Sequence, residues 1–185
     1  VLVGYMMPMS VTALLGKNLF LLDGGVINDL LMKVHLISSP IDWLVNGGTA
    51  LGAVIAVNCW VGIPFNMLLL TSGLTGISTD IYESASMDGA NAFKRFIYIT
   101  LPLMKPAMLS VLMLGFIYTF KAFDLMYIMT AGGPFNSTDA LGTYAYSKAF
   151  TQYEFSQGSA IAMVLFACLF LVGIFYLKLL SKEDD

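Results

Sequence analysis

The sequence predicts an all-α, polytopic transmembrane helical bundle, and three observations carry that expectation. Of 185 residues, 58% are hydrophobic and only 11% are charged, whereas soluble domains run to roughly 45–50% apolar and about 25% charged. Mean hydropathy is +0.80. Long uncharged runs also alternate with short polar segments, and a segment crossing ~30 Å of hydrocarbon needs about 20 largely apolar residues with its backbone groups satisfied internally.

About four spanning helices are expected. Residues 1–16 carry no charge and end at Lys17, so they read as the tail of a first helix, and the chain is expected to be truncated at its N-terminus. The opening VLVGYMMPMS has neither the basic region nor the small-residue cleavage site of a signal peptide. Residues 43–79 contain no charge, and a second helix is placed at about 48–71. A third covers 107–129, interrupted by Lys121 and Asp124, and a fourth covers 155–177 between Glu154 and Lys178. The connection 18–46 carries the turn signals Asp23-Gly24-Gly25 and Pro40 and one short helix at 25–33, and residues 131–154 begin with the turn Ala131-Gly132-Gly133-Pro134 before an amphipathic helix.

Charge sets the orientation. Lys94, Arg95 and Lys105 in the 73–106 loop and Lys178 and Lys182 near the C-terminus fall on one side, against Lys17, Lys33 and Lys148 on the other. This mild bias puts the 73–106 loop and the C-terminus in the cytoplasm. With nine Lys/Arg and twelve Asp/Glu, no basic surface for nucleic acid is expected. Cys59 and Cys168 lie in apolar runs and His35 stands alone, so no metal-ligand spacing exists. Neither a nucleophile–base constellation nor a G-x-x-x-x-G-K-[ST] phosphate loop is present, so the chain is expected to be no enzyme and to hold no nucleotide itself.

The segment ESASMDGANAFKRFIYITLP, residues 83–102, is too polar to sit in lipid as an ordinary helix. Asp80 and Glu83 have capping-box spacing for a short helix at 80–87, and Gly89, free to take positive φ, ends it. A second helix at 91–98 places Phe93, Phe96 and Ile97 along one side and Asn91 and Arg95 along the other. Pro102 and Pro106 then redirect the chain.

Two of the membrane segments carry polar residues. Asn58, Gly62 and Phe65 fall at spacings of four and three, and Trp60 and Asn66 lie on the same helix, which also holds Pro64. Tyr118, Lys121 and Asp124 repeat every three residues beside Thr119. Polar groups at membrane depth are costly and often mark a pathway, and amides and charges beside aromatic rings such as Trp60 or Phe65 suit a sugar, so Asn58, Trp60, Gly62, Phe65, Tyr118, Thr119 and Lys121 are expected to line a substrate pathway. For Lys121 and Asp124 two readings stand: a mutual ion pair, or direct substrate contact. Asn66 reads as an interhelical hydrogen bonder.

Glu83, Ala85, Asp88, Gly89, Ala90, Phe96, Ile99, Leu101 and Pro102 resemble the EAA loop of binding-protein-dependent ABC importer permeases of the carbohydrate type, in which E-A-A is followed by three residues, G, nine residues and I-x-L-P. Ser84 departs from the usual Ala but stays small. Residues 57–65 (VNCWVGIPF), Phe123-Asp124 with Thr130-Ala131-Gly132-Gly133-Pro134, and the Leu19-Phe20 region resemble the larger maltose-permease subunit. The resemblance spans essentially the whole chain and implies a single ABC transmembrane type-1 (MetI-like) permease domain over 1–185, with 73–106 as its cytoplasmic coupling loop. It implies that Glu83 contacts a partner ATPase subunit, that Gly89 lets two short helices meet at a tight angle, and that Phe93 and Phe96 hold the loop against its own subunit. Asn58, Gly62 and Phe65 match positions that line the relative's sugar site. The implied partners are an ATPase dimer carrying ATP and Mg, a second permease subunit, an extracytoplasmic solute-binding protein, a sugar-like substrate and membrane lipid, in the inner membrane of a prokaryote. The alternatives are an ion-coupled secondary transporter or channel, which would place coupling carboxylates in the membrane, and a non-transporting scaffold.

Overall fold

In the computed structural model, residues 4 and 6–181 are described, and side chains through Lys178. Every regular element among them is helical: α1 (Met9–Leu19), α2 (Val26–Lys33), α3 (Gly47–Thr75), α4 (Thr79–Met87), α5 (Ala92–Leu103), α6 (Lys105–Phe120), α7 (Phe123–Thr130), α8 (Leu141–Tyr146) and α9 (Phe155–Ser181).

Two of these are long and apolar enough to cross a membrane alone, Gly47–Thr75 and Phe155–Lys178, and a third crossing arises if Ala92–Leu103 and Lys105–Phe120, bent by 63° at their junction, act as one span. The 29 residues of α3 rise ~43 Å at ~1.5 Å each, more than the ~30 Å hydrocarbon layer. The expected four spans therefore become two or three among the described residues. Pro8 stands at the N-cap of α1 and separates it from the helical Gly4 and Met6, so the expected continuous helix over 1–16 is broken; residues 1–3 and 5 lie outside the described ones. The expected third span is divided by a turn at Lys121–Ala122.

The core follows the logic of a protein dissolved in lipid, where helices gain little by hiding apolar side chains and pack through small residues instead. Ala13, Ala50, Ala53, Val54 and Val57 are buried on α1 and α3. Of these, Ala13, Ala53, Val54 and Val57 cluster with Leu125 and Met129 of α7, with Phe20 and Trp43 packed against the cluster. A Cβ on Gly16 would stand 2.7 Å from Val57 Cγ2, so α1 and α3 touch through a glycine that no larger residue replaces without movement. Large residues point outward instead: Phe166, Phe170, Leu171 and Phe175 on α9 are all more than half exposed.

The connection from α1 to α3 is organised by one buried amide. Asn28 is 1% exposed; its Nδ2 donates to the carbonyls of Leu21, Leu22 and Ile41, and its Oδ1 accepts from the Ile41 N–H and from Trp43 Nε1 at 2.8 Å. A second polar knot closes residues 130–143. Thr138 Oγ1 bonds the Gly133 carbonyl at 2.7 Å and Thr130 Oγ1 at 2.6 Å, while Thr143 Oγ1 donates to Asp139. The expected amphipathic helix after this knot is α8, which runs on through a π-turn at Ser147–Thr151.

Candidate functional site

Two features of the fold can do work: an elbow formed by α4 and α5, and a cleft between α3 and the α6–α7 break.

Ser78 caps α4, accepting the Asp80 N–H at 3.3 Å, so the expected cap at Asp80 with Glu83 as its capping-box partner lies two residues too late. A Ser-Thr-Asp run offers several competing acceptors, and the first one wins. The end of α4 is as expected. Gly89 has φ +78°, its N–H bonds the Ser86 carbonyl at 3.1 Å, and the Ala90 N–H bonds the Ala85 carbonyl at 2.9 Å, the paired bonds of a Schellman cap. Nothing lies within 4 Å of a Cβ built on Gly89, so the demand for glycine here is conformational and not spatial.

Asn91 caps α5 through the Lys94 N–H at 2.9 Å and does not itself belong to the helix. After one α-turn the helix widens to a π-turn over Phe96–Thr100, with the Leu101 N–H reaching back five residues to Phe96. Pro102 has no N–H for the Tyr98 carbonyl and its ring would crowd it, so a widened turn at this point relieves the clash. Of the motif residues, Glu83, Ser84, Asp88, Leu101 and Pro102 are exposed, and Ala85, Ala90 and Ile99 are half-buried. Phe93 is 70% and Phe96 52% exposed. Among the described residues they do not hold the elbow against the bundle as expected, because the elbow stands clear of it. Its far end is seated: Met104 is buried, and a Cβ on Gly73 of α3 would meet Ala107 Cβ at 2.6 Å and Met104 Sδ at 3.2 Å.

The cleft has a volume of about 530 Å³ and brings together Asn58, Gly62, Phe65, Asn66, Tyr118, Thr119, Lys121 and Asp124, with Met7, Cys59 and Gly115. The helical spacings thus converge on one space. Phe65 and Tyr118 meet edge to face across it, ring centroids 5.8 Å apart. Trp60, expected on the substrate pathway, is not part of it, because two residues along the helix turn it ~200° away from Asn58. It is 64% exposed, and its Nε1 stands 3.2 Å from a Cβ built on Gly4.

Between α6 and α7 the backbone makes an inverse γ-turn: Ala122 has φ −73°, ψ 61°, and the Phe123 N–H bonds the Lys121 carbonyl at 2.7 Å. Irregular backbone at membrane depth is tolerated where it lines a cavity, and this turn sits on the cleft. No ion pair joins Lys121 to Asp124; among the described residues the ion pair is Lys148–Glu154 at 3.0 Å. The mutual-neutralisation reading is therefore corrected, because the turn between them breaks the i,i+3 helical register it needs. Asn66, expected to bond a neighbouring helix, faces the cleft instead. Asn58 and Asn66 make no hydrogen bond among the described residues, so amides, a cation, a carboxylate and two aromatic rings converge on one space. That set can hold the hydroxyls and ring faces of a polyhydroxylated solute. Among the described residues no His, Cys, Asp and Glu cluster could hold a metal ion.

Comparison with known proteins agrees with this architecture. Residues 1–182 match the family model described as binding-protein-dependent transport system inner membrane component. The chain is 31% identical over 185 residues to a probable ABC transporter permease protein of Brucella suis biovar 1 (strain 1330), covering 100% of this chain and 64% of the relative. It is 33% identical over 183 residues to the sulfoquinovosyl glycerol transport system permease protein SmoG of Agrobacterium fabrum (strain C58 / ATCC 33970), covering 99% and 59%. It is 34% identical over 178 residues to the trehalose/maltose transport system permease protein MalF of Thermococcus litoralis, covering 96% and 59%. The chain thus spans about three-fifths of the length of these relatives. The crystal structure of a bacterial ABC transporter involved in the import of the acidic polysaccharide alginate shares the fold, with a TM-score of 0.87 over 100% of this chain and 64% of that chain at 19% identity. The chain belongs to the family of binding-protein-dependent transport system inner membrane components.

Proposed function

We propose that this chain forms the membrane-spanning core of an ABC importer permease that carries a sugar or related polyol across the inner membrane of a prokaryote. Separate ATPase subunits, paired as a dimer and holding ATP and Mg, supply the energy. A second permease subunit completes the pathway, and an extracytoplasmic binding protein delivers the solute. The elbow and the C-terminus lie in the cytoplasm, and residues 18–46 and 131–154 face outward. Relatives named as permeases for trehalose/maltose and sulfoquinovosyl glycerol support a sugar-like cargo.

One observation carries the mechanism. The Gly89 elbow ends at Met104, which packs on Gly73 of α3, and the same helix carries Asn58, Gly62 and Phe65 on the cleft wall. Closure of the ATPases on ATP pushes an elbow that grips them through Glu83 and its exposed Phe93 and Phe96. The continuous helix α3 passes that displacement to the cleft and switches which side it opens to. Asn58, Asn66, Lys121 and Asp124 bind hydroxyls while Phe65 and Tyr118 cover the apolar ring face.

The test is uptake by proteoliposomes holding the full-length permease with the subunits encoded beside it, offered labelled maltose, trehalose and sulfoquinovosyl glycerol. Uptake should require ATP on the ATPase side and persist when ion gradients are collapsed. Uptake without ATPase subunits, driven by an ion gradient, contradicts the proposal and favours Asp124 as the coupling carboxylate of a secondary transporter.

A further inference from the structure

Four residues outside the sugar-permease loop motif tie the elbow across its turn. Tyr82 Oη and Thr100 Oγ1 are 2.9 Å apart in a half-buried contact between α4 and α5. Thr100 Oγ1 also lies 3.4 Å from the Arg95 carbonyl, where it donates its proton, which leaves Tyr82 as the donor to Thr100. One turn along α4, Arg95 Nη1 donates to Ser86 Oγ at 2.7 Å. The Nε of the same guanidinium is shielded from solvent and makes no hydrogen bond, so the Ser86 tie fixes its orientation.

The register of these contacts has a cause. Tyr82 and Ser86 are four residues apart and share a face of an α-helix. Arg95 and Thr100 are five apart and in an ordinary α-helix would diverge. The π-turn at Phe96–Thr100 stacks residues five apart, bringing both into line with Tyr82 and Ser86. The turn that accommodates Pro102 therefore also builds a two-point latch.

We infer that the Tyr82–Thr100 and Ser86–Arg95 hydrogen bonds are a positioning latch that holds the two coupling helices at a fixed angle, so that displacement of α4 is delivered to α5 and the α3–α6 junction instead of being absorbed at Gly89. The inference rests on the proposed function of the elbow. A glycine in the left-handed region makes a soft joint; without cross-ties it bends under load. The half-buried Tyr82–Thr100 bond, less open to competing water than the exposed Arg95–Ser86 bond, carries the larger share.

Cys59 reports on the latch because it lines the cleft and is exposed. In vesicles holding the complete transporter, with Cys168→Ala in this chain and every other accessible cysteine of the complex replaced, the labelling rate of Cys59 by a membrane-impermeant maleimide is measured with and without MgATP plus vanadate. The parent should show a nucleotide-dependent change. Tyr82→Phe and Thr100→Val, each deleting one hydroxyl, should shrink that change about fivefold, the worth of one net hydrogen bond, with ATPase subunits still co-purifying at parental yield. Thr100→Ser, which keeps the hydroxyl, should respond as the parent does. Full nucleotide response in Tyr82→Phe and Thr100→Val overturns the latch, as does loss of ATPase co-purification, which would make these bonds part of docking. A parent that binds no ATPase or shows no nucleotide response at Cys59 overturns the importer reading and the latch with it.

Discussion

Asn28 and Asn58 are the same side chain in two opposite situations. Asn28 is 1% exposed with every donor and acceptor engaged, knitting Leu21, Leu22, Ile41 and Trp43 into one loop. Asn58 lies half-buried on the cleft wall with no hydrogen bond among the described residues. A fully satisfied amide is a structural rivet. An unsatisfied amide aimed into a cavity in a membrane chain is free to bind a solute, since lipid offers nothing else for it to bond.

Several substitutions sharpen that contrast. Asn28→Leu should be the most damaging: it strands three carbonyls and two N–H donors, and at ~1–3 kcal/mol per orphaned group the yield of folded protein and its melting temperature in detergent should both collapse. Gly16→Leu should follow, costing ~1–3 kcal/mol from overpacking against Val57, read as a lower melting temperature. Asn58→Ala should leave melting within ~0.5 kcal/mol of the parent yet weaken transport affinity about tenfold, the loss of one to two hydrogen bonds. An Asn58→Ala protein that melts early with unchanged affinity would reverse the roles assigned to the two asparagines. Trp60→Ala should change affinity least, within about twofold, because its side chain sits beside Gly4 and away from the cleft.

The position of Trp60 was in fact legible. Two residues from Asn58 is ~200° around a helix of 3.6 residues per turn, so the two cannot share a wall, whereas Gly62 and Phe65 can. The long helices α3 and α9 were legible for the plainest reason: uninterrupted apolar runs have few ways to satisfy their backbone in lipid. Gly89 was legible because its place at the end of a helix needs a φ that other residues resist. Other features were hidden. The partners of Asn28 at Ile41 and Trp43 are 13 and 15 residues away, beyond any local pattern. The γ-turn at Ala122 is marked by no Gly or Pro; its signal was the pair of charges at Lys121 and Asp124, which an unbroken membrane helix would have had to bury. The π-turn before Pro102 had a visible cause in the proline but no sign of which way the strain would be relieved.

The most direct test of the account lies at Gly89. Gly89→Asp places a side chain at φ +78°, at a cost of ~1–2 kcal/mol, and sets a negative charge at the C-terminal end of α4, where the helix dipole disfavours it. In the reconstituted complete transporter, solute carried per ATP hydrolysed should fall at least tenfold while solute affinity is preserved. Parental stoichiometry in Gly89→Asp would contradict the claim that this joint transmits the power stroke.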